Sequence, residues 1–290
     1  MIEQELKGIF DEAGAAGFLH ARSIDGDLET GLGADEPVVL ASVFKIPVLV
    51  ELNRQAAAGE VDLNERVRVT AEDRVLGPTG LSAMVDDVDL TLRDLAYLMM
   101  SVSDNTATDV IMRHVGLERI NKSLRDLGLS QTELIGDCAT LLGTFAEDVG
   151  LDRDAGLSLA DIEPDRLRKW RSLDPERTTR STPREMTALL QMIWRDEAAP
   201  PDACAEMRRI LALQVWPHRL TSGFPSGVTL AAKTGTLPGI RNEAGVVTYP
   251  DGARYAVAVF TRAHTFVERQ TVVDGSIGRA AFHAVESLRQ

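Results

Sequence analysis

Apolar and polar positions along the chain follow two periods, and the changes between them divide the sequence into three parts. Residues 17–41 and 228–263 carry apolar side chains at every second position, and each stretch contains an Asp-Gly turn signal. This pattern predicts β-strands joined in hairpins. Residues 3–14 and 277–290 instead have apolar positions at helical spacing, so a helix is expected at each end of the chain.

The sequence between the two strand regions is predicted to be helical. Leu, Val, Ala and Met recur there at i, i+3 and i+4, which is typical of helices packed on a core. The predicted helices cover about 43–58, 91–102, 106–116, 117–128, 183–194 and 202–214. The stretch 136–180 is rich in Asp and Arg and weakly periodic, so we expect a long loop with one or two helical turns.

Helix start signals locate several of these boundaries. Thr91 is expected to cap one helix, and Thr182, which is followed by a proline, is expected to cap another. Glu185 would complete a capping box with Thr182. The final helix is expected to be capped by Ser276 or Asp274.

Together these elements predict an α+β (or α/β) fold of two lobes. Residues 1–37 and 218–290 are expected to form one antiparallel sheet with the two terminal helices. Residues 38–217 are expected to form an all-helical lobe that contains an omega-type loop at about 136–180.

Composition narrows the range of functions. The formal net charge is −13, which argues against a nucleic-acid partner. No apolar run is long enough to span a membrane, so no membrane partner is expected. Cys138 and Cys204 lie in no metal-binding or redox motif and are expected to be free, buried thiols. The N-terminus lacks the features of a signal peptide, so we expect a cytoplasmic protein, or a secreted or periplasmic one if a signal precedes Met1.

Three short polar motifs stand out from this background. Lysine is rare, with 5 of the 31 basic residues, so a lysine within a motif is informative. The motifs occur in the order Ser42-x-x-Lys45, Ser103-Asp104-Asn105 and Lys233-Thr234-Gly235-Thr236.

This ordered set resembles the class A branch of the serine β-lactamase and penicillin-binding protein superfamily. The resemblance extends over nearly the whole chain, including the 61-residue spacing between Ser42 and Ser103 and the position of the final helix. It implies a two-lobed fold, an acyl-enzyme mechanism, a small-molecule substrate and no metal or cofactor. We expect a monomer.

The resemblance also implies roles for individual residues. Ser42 would be the nucleophile and Lys45 its base, while Ser103 would shuttle a proton to the leaving nitrogen. Asn105 would donate its amide to a substrate carbonyl. Asp104 is better explained as a structural residue, because a carboxylate there can bind backbone N–H groups.

The third motif would bind the anionic end of the substrate. Lys233, Thr234 and Thr236, on a strand that includes Gly235, would hold a substrate carboxylate, and the N–H groups of Ser42 and Thr236 would form an oxyanion hole. Arg241 on the adjoining strand would supply a second carboxylate contact, or would be a surface arginine.

The physical chemistry of Ser42 and Lys45 agrees with these roles. A serine hydroxyl is a poor nucleophile until a neighbour removes its proton. Residues three apart on a helix share a face, so Lys45 can reach Ser42. Burial and the like charge of Lys233 would lower the pKa of Lys45 and make it a base.

The base for deacylation is the weak point of the resemblance. Class A enzymes use a glutamate on the omega loop, and one alignment puts its position near Cys138 or Ala139, neither of which can activate water; Asp137 is the nearest carboxylate. A second alignment selects Glu163, which precedes a proline as in the family but lacks the expected asparagine. Glu163, Asp137 and the absence of any such base remain open.

The function predicted from the sequence is therefore a serine hydrolase that opens β-lactams through an acyl-Ser42 intermediate. The alternatives are a D,D-peptidase, esterase or acyltransferase on the same scaffold, and a β-lactam-binding sensor that is acylated without turnover.

Overall fold

A computed structural model of the protein describes residues 2–150 and 162–289. The strands are β1 Ala15–Ser23, β2 Glu29–Leu32, β3 Val38–Val39, β4 Arg66–Val69, β5 Val88–Thr91, β6 Arg180–Ser181, β7 Thr229–Leu237, β8 Ile240–Thr248 and β9 Arg254–Ala263. The helices are α1 Ile2–Glu12, α2 Lys45–Ala57, α3 Leu92–Ser101, α4 Asn105–Val115, α5 Leu117–Asp126, α6 Cys138–Val149, α7 Pro164–Leu167, α8 Pro183–Trp194, α9 Pro201–Leu211, α10 Leu220–Gly223 and α11 Thr271–Leu288.

The predicted antiparallel sheet is confirmed. Its strand order is β2-β1-β9-β8-β7, so the N-terminal hairpin joins the C-terminal strands through the pairing of β1 with β9. β7, which carries the third motif, is the edge strand beside the helical part of the chain.

The sheet separates two hydrophobic cores. One face packs on α1 and α11, through a buried cluster that includes Leu6, Val257 and Ile277. The opposite face shares a larger core with the central helices, which includes Leu49 on α2 and Phe260 on β9. Helix α2 is buried on almost all sides, which explains why residues 46–50 are all apolar.

The part of the chain expected to be all-helical, 38–217, also contains two short antiparallel pairs, β3 with β6 and β4 with β5. Three further local predictions are wrong. Residues 138–149 form a helix of three turns, capped by the Asp137 carboxylate, where we expected mostly loop. Helix α11 begins at Thr271, so Ser276 and Asp274 lie inside it and do not cap it. Thr182 does cap α8, but the Glu185 carboxylate bonds to the 131–132 backbone and hydroxyl groups instead of closing a capping box.

Two other features agree with expectation. Thr91 caps α3 by accepting a hydrogen bond from the Asp94 N–H. Cys138 and Cys204 are both free and buried.

Across 2–150 and 162–289, no helix has the length and apolar character needed to cross a bilayer.

Candidate active site

Ser42 lies in a tight turn at the entrance to the central helix. The turn is a 3-10 helix, Ala41–Phe44, which continues directly into α2 at Lys45. Ala41 has a φ of +46°, a backbone conformation that non-glycine residues adopt at a cost in free energy. This turn therefore places Ser42 at the N-terminal, positive end of the α2 dipole.

The Lys45 side chain is buried and reaches the second motif. Its Nζ lies 2.8 Å from the Ser103 carbonyl oxygen, 2.9 Å from Asn105 Oδ1 and 3.3 Å from Ser103 Oγ. Burial lowers the pKa of Lys45, and the charges of Asp104 and Asp109 oppose this shift. The structure thus brings Lys45, Ser103 and Asn105 together, with the Lys45 amine bonded to the Ser103–Asn105 turn.

The second motif is a strained turn held by its middle residue. Ser103 has a φ of +62°. The Asp104 carboxylate caps α4 through the Ala107 N–H and also accepts a hydrogen bond from the Leu81 N–H, which agrees with its structural interpretation. Asn105 Nδ2 donates to the Leu76 carbonyl at 2.7 Å. Since Asn105 Oδ1 accepts from Lys45, both the oxygen and the nitrogen of this amide are hydrogen-bonded.

The third motif packs against the turn that contains Ser42. A Cβ atom added to Gly235 would lie 2.7 Å from the Leu40 carbonyl oxygen, so only glycine allows β7 to approach this closely. Lys233 is fully buried and its Nζ donates to the Thr234 carbonyl at 2.9 Å. Burial, followed by the Lys45 charge, lowers the pKa of Lys233 well below its usual value. Thr236 is exposed and faces the same cavity as Ser42.

The structure places Arg241 away from this cavity and reveals a different arginine. The buried Arg241 guanidinium donates to the carbonyls of Leu237, Ile240 and Glu268, so it is neither a surface group nor a lining residue. Arg219, which sequence reasoning missed, donates to Thr236 Oγ1 at 2.8 Å and to the Gly235 carbonyl. Its position 14 residues before Lys233 carries no local signal, because its contacts form only after β7 and the preceding segment pack together.

Ser42 opens into a cavity of about 70 Å³. Its polar lining includes Asn105, Thr236 and Cys138, and its apolar lining includes Leu141 and Leu237. Cys138 Sγ lies 3.5 Å from Asn105 Oδ1, and burial raises the pKa of this thiol above its usual range. The cavity therefore has a neutral thiol at the position that the first alignment compares with the family's glutamate.

A buried carboxylate on α4 holds Cys138 in place. Asp109 accepts hydrogen bonds of 2.8 Å from the N–H groups of Cys138 and Ala139. Burial raises the pKa of Asp109 to about 6, although these N–H groups oppose the shift. The N-terminus of α6 is thus fastened to the helix that begins with Asn105.

Neither proposed carboxylate base is at the cavity. Glu163 is exposed at the start of the short helix α7 and is not a lining residue. The Asp137 carboxylate is engaged as the cap of α6, through Thr140 N and Thr140 Oγ1. In the ranges 2–150 and 162–289, no cluster of His, Cys, Asp and Glu side chains could hold a metal ion.

A family model described as "Beta-lactamase enzyme family" matches residues 1–285 of the chain. The protein belongs to the β-lactamase enzyme family. Membership, together with the predicted class A fold that the structure confirms, supports a serine β-lactamase-like hydrolase.

The curated relatives of this family member include both enzymes and a regulator. The β-lactamase regulatory protein BlaB of Streptomyces cacaoi is 29% identical over 99% of this chain and 97% of its own length. A β-lactamase of Streptomyces albus G is 28% identical over 99% of this chain and 84% of its own length.

Several solved structures share the fold of this chain. A β-lactamase from Sphaerobacter thermophilus has a TM-score of 0.78 at 25% identity, covering 99% of this chain and 97% of its own. PBP-A has a TM-score of 0.78 at 21% identity, covering 99% of this chain and 96% of its own. A point mutant of PBP-A has been solved as an acyl-enzyme complex with penicillin G.

Proposed function

We propose that the protein opens β-lactams by forming an acyl-enzyme on Ser42. The observation that carries this proposal is the Lys45 amine, which is buried one helical turn after Ser42 and hydrogen-bonded to Ser103 and Asn105. The Lys45 Nζ donates to the Ser103 carbonyl at 2.8 Å and to Asn105 Oδ1 at 2.9 Å, and burial lowers its pKa, which favours loss of its proton. Once deprotonated, the amine would have a lone pair to accept a proton from a hydroxyl.

The other site residues take roles that match the geometry. Attack of Ser42 Oγ on the β-lactam carbonyl would develop negative charge, which the N–H groups of Ser42 and Thr236 would stabilise. Ser103, 3.3 Å from Lys45 Nζ, would pass a proton to the departing ring nitrogen. The substrate carboxylate would meet Thr234 and Thr236, with Lys233 and Arg219 providing positive charge.

Covalent labelling tests this proposal directly. The protein is incubated with a fluorescent penicillin, and the adduct is measured by intact mass and located by peptide mapping. We expect one adduct per chain on Ser42 and none in Ser42→Ala. An adduct of equal yield on another residue of the Ser42→Ala variant would refute the mechanism.

A second candidate function is a β-lactam receptor that releases the acyl group slowly. It is favoured by Cys138, a neutral thiol at the cavity wall, and by the exposed position of Glu163. Hydrolysis of an acyl-enzyme needs a base that activates water. The Cys138 thiol is neutral and Glu163 does not line the cavity, so neither residue supplies that base. The regulatory name of BlaB is consistent with such a receptor.

The two candidates differ in turnover. A chromogenic cephalosporin is mixed with the protein at several molar ratios, and colour and intact mass are followed together. Sustained colour development with little adduct supports a hydrolase. A colour burst that stops near one equivalent, with a persistent adduct, supports the receptor.

A further inference from the structure

Glu243 is a buried carboxylate on the strand paired with the one that carries the third motif. It lies in the middle of β8, opposite Thr234 on β7, and its side chain is inaccessible to solvent. Its hydrogen-bond donors among the described residues are an amide side chain and a backbone N–H. A carboxylate in such a place is costly unless its oxygens are matched by donors.

Both oxygens of Glu243 accept hydrogen bonds from the segment 214–220. Gln214 Nε2 donates to Oε1 at 2.6 Å, and the Leu220 N–H donates to Oε2 at 2.7 Å. The other end of the Gln214 amide, Oε1, accepts a hydrogen bond of 2.6 Å from the Thr234 N–H. Glu243 therefore fastens both ends of this segment to β8, and Gln214 extends the connection to Thr234 on β7.

The directions of these hydrogen bonds determine the chemistry required at position 243. The Thr234 N–H can only donate, so Gln214 must present its oxygen to Thr234 and its amide nitrogen to Glu243. The Leu220 N–H is a second obligatory donor. Position 243 must then accept on both atoms, which an ionised carboxylate does and an amide cannot.

Two other residues of the segment 214–220 also contact the site or the helix next to it. The Val215 N–H donates to the Ser101 carbonyl, at the end of α3 just before Ser103. Arg219 contacts Gly235 and Thr236. Burial raises the pKa of Glu243, while the Leu220 N–H and the charge of Arg219 oppose that shift.

We propose that Glu243 is a positioning residue that, acting through Gln214, holds Thr234 and the 214–220 segment in the geometry needed for acylation of Ser42. This inference rests on the proposed function, because acylation is the activity that it serves. Loss of the carboxylate leaves one buried donor unmatched, which displaces the Thr234 backbone from the substrate carboxylate.

The test uses an exchange of side chains that the hydrogen-bond directions allow. Glu243→Gln and Gln214→Glu are made singly and together. In the double variant, the carboxylate now at position 214 accepts from the Thr234 N–H and from the amide nitrogen now at position 243. The oxygen of that amide accepts from the Leu220 N–H, so every donor is matched again. Glu118→Gln, on an exposed side chain of α5, is the control for loss of one negative charge.

Two quantities are measured in each variant: hydrogen exchange of the Thr234 and Leu220 amides, and the second-order rate of labelling by a fluorescent penicillin. We expect each single variant to exchange faster at these amides and to be labelled at least about tenfold more slowly. The double variant should recover protection and label within about threefold of wild type. The Glu118→Gln control should match wild type.

The inference is overturned if Glu243→Gln labels and exchanges like wild type, or if the folded double variant is no better than the single variants. If the single variants do not fold, the double variant decides alone: wild-type labelling supports the inference, and slow labelling overturns it. A wild-type protein that is never labelled contradicts the proposed function instead, and amide exchange then still decides whether Glu243 holds the segment.

Discussion

Asp109 Oδ1 accepts a hydrogen bond of 2.8 Å from the backbone N–H of Cys138. This contact joins α4, which begins at Asn105, to the helix that forms one wall of the Ser42 cavity. The side chain at position 138 therefore lines the reacting centre from a fixed backbone. Its identity is expected to control the lifetime of the acyl-enzyme.

Replacing Cys138 with glutamate should accelerate deacylation. A carboxylate at this position would lie at the same cavity as Ser42 and could activate water. General base catalysis of this kind accelerates a reaction about 10²–10⁴-fold. The rate is measured as loss of the penicillin adduct by intact mass after excess reagent is removed. Cys138→Gln is the control of nearly equal shape; equal deacylation by the two variants would show that a carboxylate here does not serve as the base.

Replacing Lys45 with alanine should slow acylation of Ser42 by about 10²–10⁴-fold, because the proton acceptor is lost. Stopped-flow labelling with a fluorescent penicillin measures the rate, and circular dichroism confirms that the variant is folded. Lys7→Ala, on an exposed lysine of α1, should label like wild type. Labelling of a folded Lys45→Ala protein at the wild-type rate would remove Lys45 from the proposed role.

Replacing Gly235 with alanine should destabilise the site, whereas the same change at Gly275 should stabilise the protein. A Cβ at 235 would be forced against the Leu40 carbonyl. Gly275 is exposed within α11 and has open space around it, so alanine there should add about 0.5–1 kcal/mol to the free energy of unfolding.

Urea unfolding and penicillin labelling of both glycine variants provide the measurement. We expect Gly235→Ala to lose both stability and labelling rate. A Gly235→Ala protein with the stability and labelling of wild type would contradict the close packing of β7 on the Ser42 turn.

Stability should also depend on pH through His20. This buried residue of β1 shares a hydrogen bond of 2.6 Å with Thr187 Oγ1, and burial, then the Arg184 charge, lowers its pKa to about 4. The unfolded state, with a pKa of about 6.5, binds the proton more readily. The contribution of neutral His20 to the free energy of unfolding is therefore complete above about pH 6.5. It is lost as the pH falls towards about 4.

The comparison that isolates this effect is between wild type and His20→Gln. Between about pH 7.5 and 5, wild type should lose about 2 kcal/mol more unfolding free energy than the variant. The raised pKa of Asp109, about 6, acts in the opposite direction but is common to both proteins. Parallel pH profiles in urea unfolding would exclude His20 as the titrating group.

The sequence by itself determined the class of the fold and the chemistry of the site. Periodicity is a local property, so it predicted the hairpins, the central helices and the antiparallel sheet. The three motifs could be recognised because each lies within a few residues of chain, as with Ser42 and Lys45. Local spacing is enough to predict that such residues share a face.

The tertiary structure decided what depends on contacts between distant segments. It placed Cys138 at the cavity, because Asp109 fixes the α6 terminus through backbone N–H groups that no side-chain pattern reveals. It also left Glu163 exposed. It likewise placed the guanidinium of Arg219, and not that of Arg241, in contact with Thr236 Oγ1. In the sequence Glu243 is an ordinary polar residue of a strand, and only the packing of segment 214–220 against β7 and β8 gives its buried carboxylate matching donors.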